Sequence, residues 1–350
     1  MLYIYAFLII LGITISTPRF NFIGILVLIF LSYLTFVSTD VPDFANYQYV
    51  YQHINPNQLF GMGKGWYMLN DWGRNKGWDY PQFKTFLVFI SLLLIFIAVR
   101  YFLGKNYNLI WGLYLFYPAL LDIIQVRFFV TLGIFIFALI FLFQRKWWSI
   151  IIYVLLITLA VPIHSSAAFY YLFVFVPFIE KRQKVFSVGI FIGTILLVFL
   201  KSPLQKFISM FASTRQQFYF ESTTSLGTLL LLDLMVIVFY FITYSINNEI
   251  VNSSIFSEKE KMFSKFCVTI NLLMLVLIPM GIVSPEFLRV QRASWLLFYM
   301  LLTVVLKRKQ DAVVGNVRIK SQLLGMMMAL FGFGVLINYL SPLVVPSFFN

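Results

Sequence analysis

The fold class this sequence predicts is an all-α, polytopic membrane protein, and three observations predict it. Of its 350 residues, 61% are hydrophobic and 11% charged, against about 45–50% and about 25% in a soluble domain. The mean hydropathy is +0.89. The apolar runs are continuous over about 15–20 residues, which suits bilayer-crossing helices and not the alternating strands of a barrel. Phe (41) and Tyr (20) are abundant, and Tyr in particular is a residue type that anchors helices at the membrane interface.

About twelve apolar spans follow in order. The run 2–16 has no basic residue before it and no small-x-small cleavage site, so it reads as a retained first span and not a signal peptide. Span 22–37 comes next, after Thr17-Pro18-Arg19. Spans 84–99 and 108–124 are separated by Arg100 and Lys105. Span 128–143 stops at Gln144-Arg145-Lys146, and 149–163 ends on Val161-Pro162-Ile163. Span 167–179 stops at Glu180-Lys181-Arg182, and 185–200 at Lys201. Spans 228–246, 265–283 and 293–306 follow, the last closed by Lys307-Arg308-Lys309, and 321–340 completes the set. Several are short for a hydrocarbon core about 30 Å thick. No internal repeat or low-complexity linker divides the chain, so residues 1–350 read as a single membrane domain.

The formal charge of +13 raises nucleic acid as a partner, but its distribution argues for a membrane instead. With the N-terminus outside, 16 of the 26 basic residues fall in the six inward loops. Most of the others belong to two long outer loops, 38–83 and 201–227. In short loops this is the positive-inside pattern, and it places both termini on the outer side. The single cysteine, Cys267, excludes an internal disulfide, and no Cys/His cluster suggests a structural metal.

The outer face therefore carries the unusual features. Loop 38–83 contains Trp66, Trp72 and Trp78 among Tyr, Gly, Asp and Asn. These suit either stacking on carbohydrate or anchoring at the headgroup level. In 201–227, Leu204, Phe207, Ile208 and Phe211 follow helical spacing after Pro203, which predicts an amphipathic helix on the outer surface.

Three arginines stand at outer span ends: Arg127 in "DIIQVRFF", and Arg289 and Arg292 in "PEFLRVQRAS". A guanidinium fork is shaped for phosphate, although each also reads as a residue snorkelling to headgroups. His164, in "LAVPIHSSAAF", sits at the outer turn between two spans. It reads as a functional ring or as a polar residue bonded at a helix end. Asp40 and Asp43 follow the second span. Asp122 lies near the outer end of the fourth, and Asp233 lies within hydrocarbon, where a carboxylate must pair or face water. Arg127 or the 201–227 helix is its expected partner.

These segments resemble the EpsG family, Wzy-like membrane polymerases of bacterial exopolysaccharide and capsule. "LAVPIHSSAAF" resembles the family's A-x-x-F/I-H-x-S-A signature. "TDVPDFANYQYVY", "KGWYMLN", "QVRFFVTLGIFIFAL" and "FLRVQRASWLLFYMLL" resemble further elements in the same order, over about residues 38–300. Two positions depart: Gly63 stands where a glutamate is expected before Lys64-Gly65, and Phe128 where a glutamine follows the arginine.

The resemblance implies a multi-pass protein of the bacterial plasma membrane. It would transfer a growing glycan from undecaprenyl diphosphate to the next lipid-linked unit in the outer leaflet, alongside membrane lipids and with a flippase and a chain-length regulator as partners. No cofactor is implied. On this reading Arg127, Arg289 and Arg292 hold the diphosphate, where cations stabilise developing charge. His164, Asp40 or Asp43 acts as base, and Asp122 and Asp233 give intramembrane support. The alternatives are a lipid-linked-oligosaccharide flippase, against which the absence of two related halves argues, and a glycan O-acyltransferase, whose donor site would face the cytoplasm.

Overall fold

The computed structural model describes residues 22–53, 63–104, 108–209 and 226–311, with a few positions before residue 15 and Gly332. The expected spans 2–16 and 321–340 lie largely outside the described residues, as do Phe211 and the rest of 210–225. Among the described residues every regular element is helical. Six stretches are long and apolar enough to cross a membrane: Tyr80–Leu103, Val126–Phe143, Ser165–Phe199, Asp233–Val251, Glu258–Val283 and Phe287–Leu306. Two shorter apolar helices, Phe22–Val37 and Trp147–Ala160, join them.

In order these are α1 (Phe22–Val37), α2 (Phe44–His53), α3 (Lys64–Asn75), α4 (Tyr80–Leu103), α5 (Leu109–Phe116), α6 (Ala119–Ile124), α7 (Val126–Phe143) and α8 (Trp147–Ala160). A 3-10 helix, Ser165–Phe175, leads into α9 (Val176–Ile179) and, past a 3-10 turn at Glu180–Arg182, into α10 (Gln183–Phe199). Then come α11 (Lys201–Ser209), α12 (Leu226–Val251), α13 (Glu258–Met274), α14 (Leu277–Val283), a 3-10 helix Pro285–Gln291, and α15 (Arg292–Asp311). Helix α11 occupies the start of the stretch where an amphipathic surface helix is expected.

Local sequence explains the main boundaries. Asp79 caps α4 by accepting from the Gln82 amide at 2.8 Å, while Gln82 Oε1 accepts from the Asp79 amide at 3.1 Å. This reciprocal cap satisfies two otherwise unpaired donors. Gly104 ends the helix at φ 78°, a conformation glycine adopts without penalty. Ser257 and Glu260 cap α13 in the same reciprocal way. In the core, α4 packs extensively on α7. There Gly133 lies so close to α4 that a Cβ would stand 2.9 Å from Ser91 Cα, the close backbone approach that small residues permit between membrane helices.

The described parts of the 38–83 segment are held by specific contacts. Lys84, 2% exposed, donates to the Ser38 carbonyl at 3.0 Å and stands over the Phe44 ring at 5.1 Å. A lysine at the carbonyl end of α1 satisfies a helix terminus and complements its dipole. Trp72, Trp78 and Phe86 pack on one another, with centroids 5.0 to 5.4 Å apart. Two of the three loop tryptophans thus serve an aromatic cluster.

Two turns are built alike. The His164 amide donates to Ala160 O at 3.1 Å, and the Ser284 amide to Met280 O at 2.9 Å. Each of these residues is extended, at φ −146°, ψ 121° and φ −152°, ψ 123°. Each opens a 3-10 helix, and the two 3-10 helices touch. Ser165–Phe175 is unusually long for that conformation. At about 2.0 Å per residue its eleven residues extend about 22 Å, which lets a run too short for an α-helical crossing reach further.

Candidate functional site

The turn after α8 fixes the histidine. Pro162 cannot continue the helix, and Ile163 and His164 both return their amides to Ala160 O, at 3.0 and 3.1 Å. The His164 ring then folds onto its own 3-10 helix. Nδ1 accepts from the Ser166 amide at 3.3 Å and lies 2.7 Å from Ser166 Oγ. A backbone N–H can only donate, so the neutral ring carries its proton on Nε2. The ring is half-buried, and Phe128 meets it edge-on at 5.8 Å between centroids.

The charges of the three arginines reach this turn. Burial, followed by the charges of Arg127, Arg289 and Arg292, holds the His164 imidazole well below its ordinary pKa of 6.5. Desolvation and like charge both disfavour the imidazolium. Arg127 donates from Nη2 to Ile163 O at 3.3 Å, and its guanidinium lies over the Trp66 ring at 5.9 Å. Arg292 lies over the Phe128 ring at 5.0 Å. Phe128, at the position where the sequence departs from the expected glutamine, thus meets both the Arg292 guanidinium and the His164 ring.

Arg292 is engaged in a buried network. Nη1 donates to Asp122 Oδ1 at 2.9 Å, Nη2 donates to Gln125 Oε1, and Tyr114 O–H donates to Asp122 Oδ2 at 2.9 Å. Asp122 is 0% exposed and Arg292 6%. The first residue of α15 is therefore bolted to α6 and to the bend between α6 and α7. Arg292 contributes charge at His164, while its hydrogen bonds serve the scaffold.

The 38–83 segment closes on the same turn. The Gly65 amide donates to Pro162 O at 3.0 Å. A Cβ on Gly63 would stand 2.0 Å from that carbonyl oxygen, and one on Gly65 would stand 2.8 Å from Pro162 Cβ. Glycine on both sides of Lys64 is what lets α3 begin against the backbone beside His164. The glutamate expected at position 63 would not fit this packing.

The remaining candidates lie elsewhere. Asp40 and Asp43 are exposed ahead of α2. Asp43 has φ 67° and uses its carbonyl to accept from the Tyr47 amide at 2.9 Å. Among the described residues neither carboxylate is bonded to the His164 turn. Asp233, on α12, was expected to pair with Arg127 or with the 201–227 helix. Its Oδ1 is buried and has no hydrogen-bonding partner among the described residues. Arg127 is instead drawn to Trp66 and Ile163 O.

Sequence reading missed Trp66 as the ring over Arg127, Gln125 and Tyr114 as partners in the Arg292 network, and the docking of Gly63 and Gly65. The Gly-Lys-Gly triplet is a signal that could have found the last, since paired glycines mark close backbone approach. Together the groups set arginine charge near a neutral N–H donor, chemistry that suits an anionic ligand.

The EpsG family model matches residues 18–341. No curated protein and no solved structure matches the chain.

Proposed function

The chain belongs to the EpsG family of Wzy-like polysaccharide polymerases, and from that premise we propose that it polymerises lipid-linked oligosaccharide units on the outer leaflet of a bacterial plasma membrane. The donor is a glycan on undecaprenyl diphosphate, and the acceptor is a sugar hydroxyl of the next lipid-linked unit. That hydroxyl oxygen attacks the anomeric carbon, the C1–O bond to the diphosphate breaks, and the diphosphate leaves with the electron pair. Arg127 and Arg289 hold the developing charge, since preorganised cations act most strongly at a leaving group. Arg292 supplies field from its seat on Asp122.

His164 presents Nε2–H as a donor, to the leaving oxygen or to the acceptor. With Nδ1 occupied by the Ser166 amide, orienting and donating suit this ring better than abstracting a proton. The base then falls to the outer loop, where Asp40 and Asp43 are the candidates. A flippase and a chain-length regulator complete the proposed partners, and both chain termini lie outside.

The observation that carries this reading is the His164 turn itself, where Arg127 donates to the Ile163 carbonyl and Arg292 lies over the Phe128 ring that meets the imidazole, with Arg289 adding its charge. Purified protein given a lipid-linked repeat unit should make a ladder of polymer, and His164→Ala or Arg127→Ala should abolish it while the protein still reaches the membrane. His164→Gln should retain part of the activity, because its amide N–H can replace the Nε2 donor. A single added acyl mass, or transport without product, would overturn the proposal.

A further inference from the structure

On the side of α3 that faces the bundle, three polar atoms stand without partners. Trp66 Nε1 and both Asn70 Oδ1 and Nδ2 are buried, and none has a hydrogen-bonding partner among the described residues. Each residue is 1% exposed. They are spaced i, i+4, so they share one helix face, and their sum is two kinds of donor and one acceptor. Buried polar groups are nearly always satisfied, and those that are not call for a specific explanation.

The position of this face gives one. Trp66 covers the Arg127 guanidinium, which reaches on to the carbonyl of Ile163 beside His164. The orphaned groups therefore begin at the arginine proposed to hold the diphosphate, and continue one helical turn away from it. We propose, resting on the diphosphate reading above, that Trp66 and Asn70 form the subsite for the sugar attached to that diphosphate. The Asn70 amide donates to one sugar hydroxyl and accepts from another, and the Trp66 indole N–H donates to a third oxygen. A saccharide, whose hydroxyls both donate and accept, matches this set, whereas a lipid tail does not.

The face is covered in the structure, and its cover is fastened unequally. At the far end of α3, Arg74 Nη1 donates to Tyr51 O at 2.6 Å, and Tyr51 O–H donates to Trp78 O at 2.8 Å. At the near end, the Gly65 amide rests on Pro162 O at 3.0 Å. The sugar enters as the near end parts from Pro162, with the far end as its pivot.

The test compares two probes on the full chain in lipid nanodiscs: undecaprenyl diphosphate alone, and the undecaprenyl-linked repeat unit that accumulates in source cells lacking this chain. Asn70→Leu keeps the volume and removes the amide, and Trp66→Phe keeps a ring over Arg127 and removes the N–H. Each should bind undecaprenyl diphosphate within twofold of the wild type and lose at least tenfold for the repeat unit. Unchanged affinity for both probes would overturn the subsite, leaving the orphans to internal water, and so would an equal loss on both. Should Asn70→Leu fail to fold, Trp66→Phe decides alone. Arg127→Ala should weaken both probes. If it leaves undecaprenyl diphosphate binding intact, the diphosphate reading fails by itself, whatever the Asn70 comparison shows.

Discussion

Arg292 donates to the Asp122 carboxylate at 2.9 Å across 170 positions of sequence. This joins the first residue of α15 to α6, close to the bend at Gln125 that separates α6 from α7. Removing one member of such a pair strands the other as a buried charge, at about 3–5 kcal/mol, whereas replacing both with apolar residues is often neutral. Asp122→Leu and Arg292→Leu should each lower the thermal stability of the purified protein sharply. The double variant should recover most of the loss. Additive losses in a double-mutant cycle would show that the two residues are not coupled.

The pH response of His164 should be weak where an ordinary histidine responds most. Its folded-state pKa lies well below 6.5, for reasons of burial and of the Arg127, Arg289 and Arg292 charges. The ring therefore stays neutral as pH falls from 8 to about 6, and polymerisation should remain flat through the ordinary histidine midpoint of about 6.5. The stability consequence has the opposite look. Below about 6.5 the unfolded chain binds a proton that the folded ring refuses, so stability falls as pH drops from there toward the folded pKa. His164→Gln should lack that slope, measured by melting temperature between pH 7 and 5.

Gly65→Ala should damage the site without emptying the membrane of protein. Its new methyl would stand 2.8 Å from Pro162 Cβ and 2.9 Å from the Pro162 carbonyl carbon, so α3 must lift off the His164 turn. Polymer yield should drop at least tenfold with unchanged protein level. Gly77→Ala is the control. That residue has φ 75° with open space around it, so the change costs about 1 kcal/mol of backbone strain and no docking. Equal effects of the two on polymer yield would remove the steric argument.

The positive-inside orientation can be read with a membrane-impermeant maleimide on intact cells. The native Cys267 is 0% exposed and should stay silent. Ser165→Cys, at an exposed position beside His164, should label from outside, and Lys181→Cys should label only after the cells are broken. The reverse pattern would invert the topology and remove the proposed substrate from the site.

Much of this architecture was legible because the bilayer leaves few choices. Continuous apolar runs can only be helices there, so α1, α4, α7 and α8 fall close to their expected places. The family signature was legible too, since it rests on the local run from Ala160 to Phe169. Less visible was anything decided by two distant backbones meeting. Nothing in the run around Arg127 announces that Trp66 will cover it, and Arg292 looks the same in sequence whether it faces a ligand or Asp122. The 3-10 conformation of Ser165–Phe175 was equally hidden, because its apolar pattern serves either helix type. Asp233 shows the limit of a sound rule: a carboxylate in hydrocarbon calls for a partner, yet the described residues offer its Oδ1 none.

The 3-10 geometry of Ser165–Phe175 also makes that segment a linkage with a defined stroke. Rewinding its eleven residues into an α-helix would shorten it by about 5 Å, the difference between rises of about 2.0 and 1.5 Å per residue. Its midpoint is held through Tyr153, whose O–H donates to Tyr170 O at 2.5 Å, and through the Tyr170 ring stacked 3.8 Å from Phe135. Shortening of the half between this clamp and Ser165, by about 2.5 Å, would draw His164 toward Tyr170. The stretched winding keeps the imidazole at full extension from that clamp.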